Sequence, residues 1–167
     1  MLDPATLAVV GEAYAEAGDS ARAAEYYRTM EVAISGGSGA LHRAWSLSLL
    51  DRGRRVPEVL ARAQKELLGR RDIYGYDVVA WALHASGRNP EARQAMSRAL
   101  VLGTQDASLF YHAGMIERSL GANLVARRYL SLSLAIDPYC HPAQVRRVRA
   151  ALDALSREPG MLATGAP

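Results

Sequence analysis

The chain has 167 residues, of which 50% are hydrophobic and 22% charged, with a formal net charge of +3 and one cysteine. This length predicts one domain, the hydrophobic fraction excludes a wholly disordered chain, and the single Cys140 excludes a disulfide framework. No run of about 18 uncharged apolar residues is present, so we expect no membrane span. The first residues do not resemble a signal peptide, which favours the cytoplasm unless a signal segment precedes them in a longer chain.

The basic residues are nearly all arginines, because Lys65 is the only lysine. They lie in small clusters and not along one stripe: Arg52, Arg54 and Arg55; Arg70 and Arg71; Arg127 and Arg128; Arg146, Arg147 and Arg149. A nucleic-acid surface needs a continuous basic footprint, often with stacking aromatic residues. We therefore interpret the clusters as solvated helix faces and expect no nucleic-acid partner.

Apolar residues recur at helical spacing along the chain and predict nine helices. Eight of them form pairs, at 4–17 with 20–34, 40–51 with 56–69, 73–86 with 89–102, and 107–120 with 123–136. A flexible joint is expected at Ser35–Gly39, between the first two pairs. The ninth helix, at 142–156, has one apolar face that can close the core, and a flexible tail is expected at 157–167.

The helix pairs repeat with a fixed period. Glycines that would end a helix stand at Gly18, Gly53, Gly87 and Gly121, which are 35, 34 and 34 residues apart. A small residue precedes each glycine by seven positions: Gly11, Ser46, Ala80 and Gly114. Self-similarity at this period indicates an array of repeats, each of which buries its apolar face against its neighbours.

The third repeat illustrates the turn and the helix contacts that the pattern predicts. Its first helix ends at Ser86–Pro90, where Gly87 supplies a left-handed cap and Pro90 opens the next helix. Ala80 and Ala92 are small enough to let the two helices approach closely. The same reasoning predicts contacts of Gly114 with Ala126 and of Gly11 with Ala23.

The period of 34, the small residue in the first helix, the turn glycine and the alanine of the second helix resemble the tetratricopeptide repeat. Asp137-Pro138 is similar to the proline that ends such a repeat, and the block from Tyr74 to Ile116 resembles bacterial members of undefined role. The resemblance implies an all-α, right-handed superhelix over 1–156, with repeats at about 4–37, 39–72, 73–106 and 107–140 and a capping helix at 142–156.

The second repeat departs from this pattern. His42 stands where the family has a large apolar residue, and the second helix fits only if an insertion around Arg54 and Arg55 shifts its register. We expect a distorted or locally rotated helix pair at this place. No capping element precedes the first helix, which suggests a longer chain or a first repeat covered by another subunit, for example in a homo-oligomer.

No arrangement of ionisable residues predicts an enzyme. Cys140 beside His141 lacks further metal ligands, and we interpret the thiol as half-buried packing. His84, His112 and Asp77 lie on neighbouring first helices, but nothing in their spacing demands a metal site. The glycines at 36–39 lack the lysine of a phosphate-binding loop. The sequence predicts no catalytic residue, no metal and no cofactor.

The resemblance implies that the first helices line a concave groove. One face of the third and fourth repeats would then present Tyr74, Asp77, Trp81, His84, Tyr111, Met115 and Arg118. Arg43, Leu47, Leu50 and Arg149 would extend this face, and Ala8, Glu12 and Ala15 would form its weak end. Such a stripe has the composition of a binding hot spot, although Trp81 and Met115 could equally pack between neighbouring helices. Arg118 and His112 could together hold one ligand carboxylate.

These observations predict a non-enzymatic scaffold that binds a peptide or protein partner in the groove. One alternative is an accessory module of a larger enzyme or of a secretion or assembly complex. Another is a helical-repeat RNA binder, which would need a recurring polar residue on each first helix. The aligned positions hold Ala8, Arg43, Asp77 and Tyr111, and this irregularity argues against RNA binding.

Overall fold

A computed structural model of the chain describes residues 2–35, 42–69, 71–139 and 141–157. Within these ranges the chain forms nine α-helices and no β-strand, so the predicted all-helical class is confirmed. Gly36–Gly39 of the predicted joint, Cys140 and the predicted tail beyond Arg157 lie outside the described residues. The helices are α1 (Pro4–Glu16), α2 (Ser20–Ser35), α3 (His42–Asp51), α4 (Val56–Gly69), α5 (Ile73–Ala85), α6 (Asn89–Ala99), α7 (Ala107–Ser119), α8 (Asn123–Ile136) and α9 (Pro142–Arg157).

The helix ends agree with the predicted ends to within one turn, because local capping signals set them. Asp3, Asp72 and Asp106 cap α1, α5 and α7, and each carboxylate accepts a hydrogen bond from a backbone N–H of the first turn. The turn glycines at 18, 53, 87 and 121 all have positive φ values, between 63° and 82°. Only glycine adopts this backbone conformation at little cost, so the period of the glycines marks where the helices end.

Within a pair, the two helices come into close contact at a glycine, which has no side chain. A Cβ atom on Gly114 would lie 2.6 Å from Cγ of Leu130, and one on Gly11 would lie 2.7 Å from Cε1 of Tyr27. The nearest atoms thus belong to residues one turn beyond Ala126 and Ala23, and the predicted contacts with these two alanines stay a prediction. Side chains on a helix lean toward its N-terminus, and a residue therefore covers the turn that precedes it.

The second pair is the irregular one. Contacts within α1–α2, α5–α6 and α7–α8 are extensive, whereas α4 packs more against α5 than against α3. The sequence predicts a distorted or locally rotated pair at this place, and the weak packing of α3 against α4 agrees with a distorted pair.

Helix α9 packs against both α8 and α1. Val148, Ala151 and Leu155 bury its apolar face, and Nη2 of Arg127 in α8 donates a 2.6 Å hydrogen bond to the carbonyl oxygen of Leu155. On the other side, Nη2 of Arg146 donates a 2.6 Å hydrogen bond to Oε1 of Glu16 in α1. The ninth helix therefore joins the first helix to the last pair. In the described part of the chain, no helix combines the length and the apolarity that crossing a bilayer requires.

Candidate functional site

The expectation of one exposed stripe is wrong for Asp77, Trp81 and Tyr111, which expose 0%, 6% and 1% of their surface. They lie on α5 and α7, where Arg43 and Asp51 of α3 bond Asp77 and Trp81, and Arg147 of α9 lies against Tyr111. For Trp81 the alternative interpretation, packing between helices, therefore holds. His84 and Met115 are half-buried, and Tyr74 and Arg118 are exposed. A role of this set in partner binding stays a prediction.

Asp77 is the centre of a buried polar cluster. Its Oδ1 lies 2.6 Å from Nδ1 of His112, and its Oδ2 accepts a 2.9 Å hydrogen bond from Nη2 of Arg43. Burial opposes ionisation of Asp77, but the charges and hydrogen bonds of His112 and Arg43 outweigh it and hold the pKa of Asp77 below its usual value. The cluster joins α3, α5 and α7 at one point.

Because His112 is fully buried and bonded to Asp77, it cannot form the predicted carboxylate site with the exposed Arg118. Nδ1 of His84 instead lies 2.7 Å from Oδ1 of Asn89. Among the described residues, no three side chains of His, Cys, Asp or Glu come together as ligands for one metal ion.

Trp81 links this cluster to Asp51 of α3. Its ring stacks on His112 with the centroids 4.3 Å apart, and its Nε1 donates a 2.9 Å hydrogen bond to Oδ1 of Asp51. Nη1 of Arg147 lies 3.8 Å from the same Oδ1. Burial raises the pKa of Asp51 and raises that of the neighbouring Tyr111 to about 12. Asp51 is therefore a buried carboxyl whose charge is only partly compensated.

A cavity of about 250 Å³ opens beside this cluster, between α1, α3, α9 and the start of α7. We call it the α1–α3–α9 pocket. Its polar lining consists of Glu12, Arg43, Ser48, Asp51, Ser108, His141 and Gln144. Its apolar lining consists of Ala5, Ala8, Ala44 and Leu47. Small side chains on two facing helices leave this space, while longer polar ones surround it.

Several polar atoms of the pocket have no hydrogen-bond partner among the described residues: Oε2 of Glu12, Nε of Arg43, Oγ of Ser48 and Nδ1 of His141. Ser48 is only 3% exposed, so water does not replace the missing partner freely. Nδ1 of His141 and Oε2 of Glu12 are 3.9 Å apart, and this carboxylate raises the pKa of His141. Unpaired buried polar groups are costly in a folded protein, and native structures retain few of them.

Sequence reasoning placed the centre of the site on α5 and α7, whereas the pocket lies on α1, α3 and α9. Glu12 and Ala8, the predicted weak end of the groove, line the pocket, as do Arg43 and Leu47. Leu50 is instead buried in the core, and Arg149 is exposed outside the pocket. The sequence contains one pattern that points to the pocket: alanines at 5, 8 and 44 share helix faces with carboxylates at 12 and 51.

Comparison with protein-family models, with curated proteins and with solved structures gives no match. Two of the four positions that an RNA code would occupy, Asp77 and Tyr111, are buried and cannot contact a base.

Proposed function

We propose that the chain is a non-enzymatic helical-repeat scaffold of the tetratricopeptide type, which binds a segment of a peptide or protein partner at the α1–α3–α9 pocket. The observation that carries the proposal is a preformed cavity with unpaired polar atoms, set between the first helices of several repeats. Ligand sites are concave and largely preformed, with a few convergent polar groups in an otherwise apolar lining.

The exposed Tyr74 extends this site beyond the pocket. The guanidinium of Arg43 lies over the Tyr74 ring, 4.5 Å from its centroid, and Arg43 lines the pocket. Exposed tyrosine and arginine side chains are enriched at the centres of binding surfaces. Asp77 and Trp81 support the site from behind, because they hold Arg43 and Asp51 through hydrogen bonds. None of the seven predicted groove residues lines the pocket itself: Tyr74 extends the site, Asp77 and Trp81 support it from behind, and His84, Tyr111, Met115 and Arg118 have neither role.

The geometry favours a short segment over a large folded partner. A cavity of about 250 Å³ is larger than the roughly 150 Å³ that holds a benzene molecule, and it is near the lower end for ligand pockets. It accommodates one long side chain. A rigid cavity also reduces the ordering cost on the side of the scaffold, so a small contact can still give measurable affinity.

The proposal predicts that blocking the pocket abolishes peptide capture. Ala5 is exposed at the rim, so Ala5→Trp should obstruct the opening without disturbing the core. Peptides selected from a randomised displayed library on the wild-type protein should lose most of their affinity for this variant, measured by fluorescence anisotropy. The matched control is Ala61→Trp, at an exposed alanine of α4 outside the pocket lining.

Tyr74→Ala gives an independent readout, with Tyr139→Ala as its control, because Tyr139 is 83% exposed and does not line the pocket. We expect Tyr74→Ala to lower the affinity for the selected peptides about tenfold and Tyr139→Ala to leave it unchanged. A library that yields no binding peptide, or peptides that bind Ala5→Trp as well as wild type, would contradict the proposed function.

A further inference from the structure

The α1–α3–α9 pocket has an acidic floor and a basic rim. The side chains of Asp51 and Glu12 are 6% and 12% exposed, whereas those of Arg43 and His141 are each 31% exposed. Ser48, with its unpartnered hydroxyl, lies one turn before Asp51 on the same buried face of α3. A ligand that enters the pocket therefore meets hydrogen-bond donors first and carboxylates last.

The two floor carboxylates have only long contacts with cationic groups. Oε2 of Glu12 accepts no hydrogen bond from the described residues, and Asp51 receives one from the neutral indole of Trp81. The nearest cationic atoms are at the limit of an ion pair: Nη1 of Arg147 lies 3.8 Å from Oδ1 of Asp51, and Nδ1 of His141 lies 3.9 Å from Oε2 of Glu12. Buried carboxylates are stable when a cation pairs with them and costly when none does. A cationic group between the two carboxylates would supply a closer partner for both.

The rim of the pocket, unlike the floor, offers a hydrogen-bond donor and calls for an acceptor on the ligand. Arg43 uses Nη2 to bond Asp77, while its Nε is buried and unpaired among the described atoms. Nε can only donate, so its complement is an oxygen such as a backbone carbonyl. Between rim and floor, alanines 5, 8 and 44 and Leu47 form an apolar wall that suits a chain of methylene groups. Arg43 and Asp51 are eight residues apart on one helix, a rise of about 12 Å.

We infer that the pocket takes the side chain of a lysine or arginine residue of the bound peptide, with its backbone carbonyl at Arg43, its methylene stem against the alanines, and its cation between Glu12 and Asp51. This inference rests on the proposed function, since it names the residue by which the partner segment is recognised. It assigns the carboxylates to charge recognition and Ser48 to a hydrogen bond with the entering side chain.

The test uses the full chain and the peptides selected from the randomised library. The inference expects one position of the selected peptides to be fixed as lysine or arginine. Replacing that residue by norleucine, which keeps the stem and removes the charge, should weaken binding about tenfold or more. Glu12→Gln should weaken the binding of the unmodified selected peptide by a similar factor. Asp153→Asn, at an exposed carboxylate of α9, should leave this affinity unchanged. Asp51→Asn serves as the second variant, with circular dichroism to verify its fold.

The outcomes separate the two proposals. If peptides bind and Ala5→Trp blocks them, but norleucine binds as well as lysine or acidic residues are selected, the scaffold function stands and this inference is overturned. If cadaverine alone competes as strongly as the parent peptide, the ligand is a free amine and the assignment to a peptide is wrong. If no peptide is captured at all, the proposed function itself has failed.

Discussion

At the scale of single residues, Asp77 stands out among the described residues as a carboxylate that is both fully enclosed and bonded through both oxygens. It is fully buried, and both of its oxygens are used, by His112 and by Arg43. Removing one member of a buried ionic cluster leaves the others without compensation, which is far more harmful than removing an exposed charge. Its function is therefore to fix α3, α5 and α7 relative to one another, and so to position Arg43 at the rim of the pocket.

The first prediction concerns this carboxylate. Asp77→Ala should lower the free energy of unfolding by about 3–5 kcal/mol, because Arg43 and His112 lose their shared partner. The exposed Asp153→Ala should change it by less than about 0.5 kcal/mol. Chemical denaturation measures both. Equal effects of the two substitutions would show that the buried cluster does not stabilise the fold.

The pH dependence of stability follows from the same group. The pKa of Asp77 is lower in the folded than in the unfolded chain, so its contribution is fully present above the unfolded value of about 3.9. That contribution is lost as the pH falls from there through the lower, folded pKa. Wild type should therefore lose stability over this acidic range more steeply than Asp77→Asn, as measured by denaturation at a series of pH values. Parallel curves for the two proteins would contradict this assignment.

The burial of Asp77 and Trp81 was missed because helical periodicity identifies a face but not what covers it. The run Val78–Leu83 is buried at every position, so α5 has no polar face along this stretch. A helix that is apolar all round is covered on all sides. That signal was available in the sequence, whereas the position of α3 and α9 over the same face depends on contacts between distant segments.

At the scale of helices, the missing side chain of Gly114 determines how closely α7 and α8 approach. Gly114→Ala would place a Cβ atom 2.6 Å from Cγ of Leu130. We expect a loss of about 1–3 kcal/mol of unfolding free energy, despite the better helix propensity of alanine. Thermal or chemical denaturation measures the change.

The matched control is Gly69→Ala at the end of α4, where an added Cβ atom would meet nothing within 4 Å and the φ value is not positive. This change should be neutral or slightly stabilising. If Gly114→Ala behaves in the same way, the close approach of α7 and α8 is not required for stability.

Helix positions were predicted well because the signals that set them are local. Turn glycines with positive φ and aspartate caps act within one turn, and both are visible in the sequence. Contacts between helices were predicted less well. The atoms nearest to Gly114 belong to Leu130, one turn beyond Ala126, since side-chain direction along a helix decides which residue comes closest and the repeat period does not.

At the scale of the whole molecule, α9 holds the first helix and the last pair together. Leu155 is buried in this helix, whereas Leu152 is half-buried. Leu155→Ala should therefore lower the unfolding free energy by about 2–5 kcal/mol, and Leu152→Ala by clearly less. Denaturation followed by circular dichroism measures the difference. Negligible losses for both leucines would place α9 outside the cooperative core.

The position of the pocket could not be predicted, because residues that form it come from opposite ends of the chain. Glu12 and His141 face each other only when α9 reaches α1. Repeat periodicity describes neighbours in an array and contains no information about a contact between its first and ninth helices. The composition of the site was visible in the sequence, but its location required the structure.

The bond between Glu16 and Arg146 spans 130 positions of sequence, whereas each helix pair is joined by a short turn. Local pairs form quickly, and contacts between distant segments form slowly because a long loop must close first. During synthesis the early pairs can thus fold while the outer side of α1 still lacks its partner. The pocket is completed only after His141 and Gln144 have left the ribosome, so the proposed site forms later than the helix pairs that precede it.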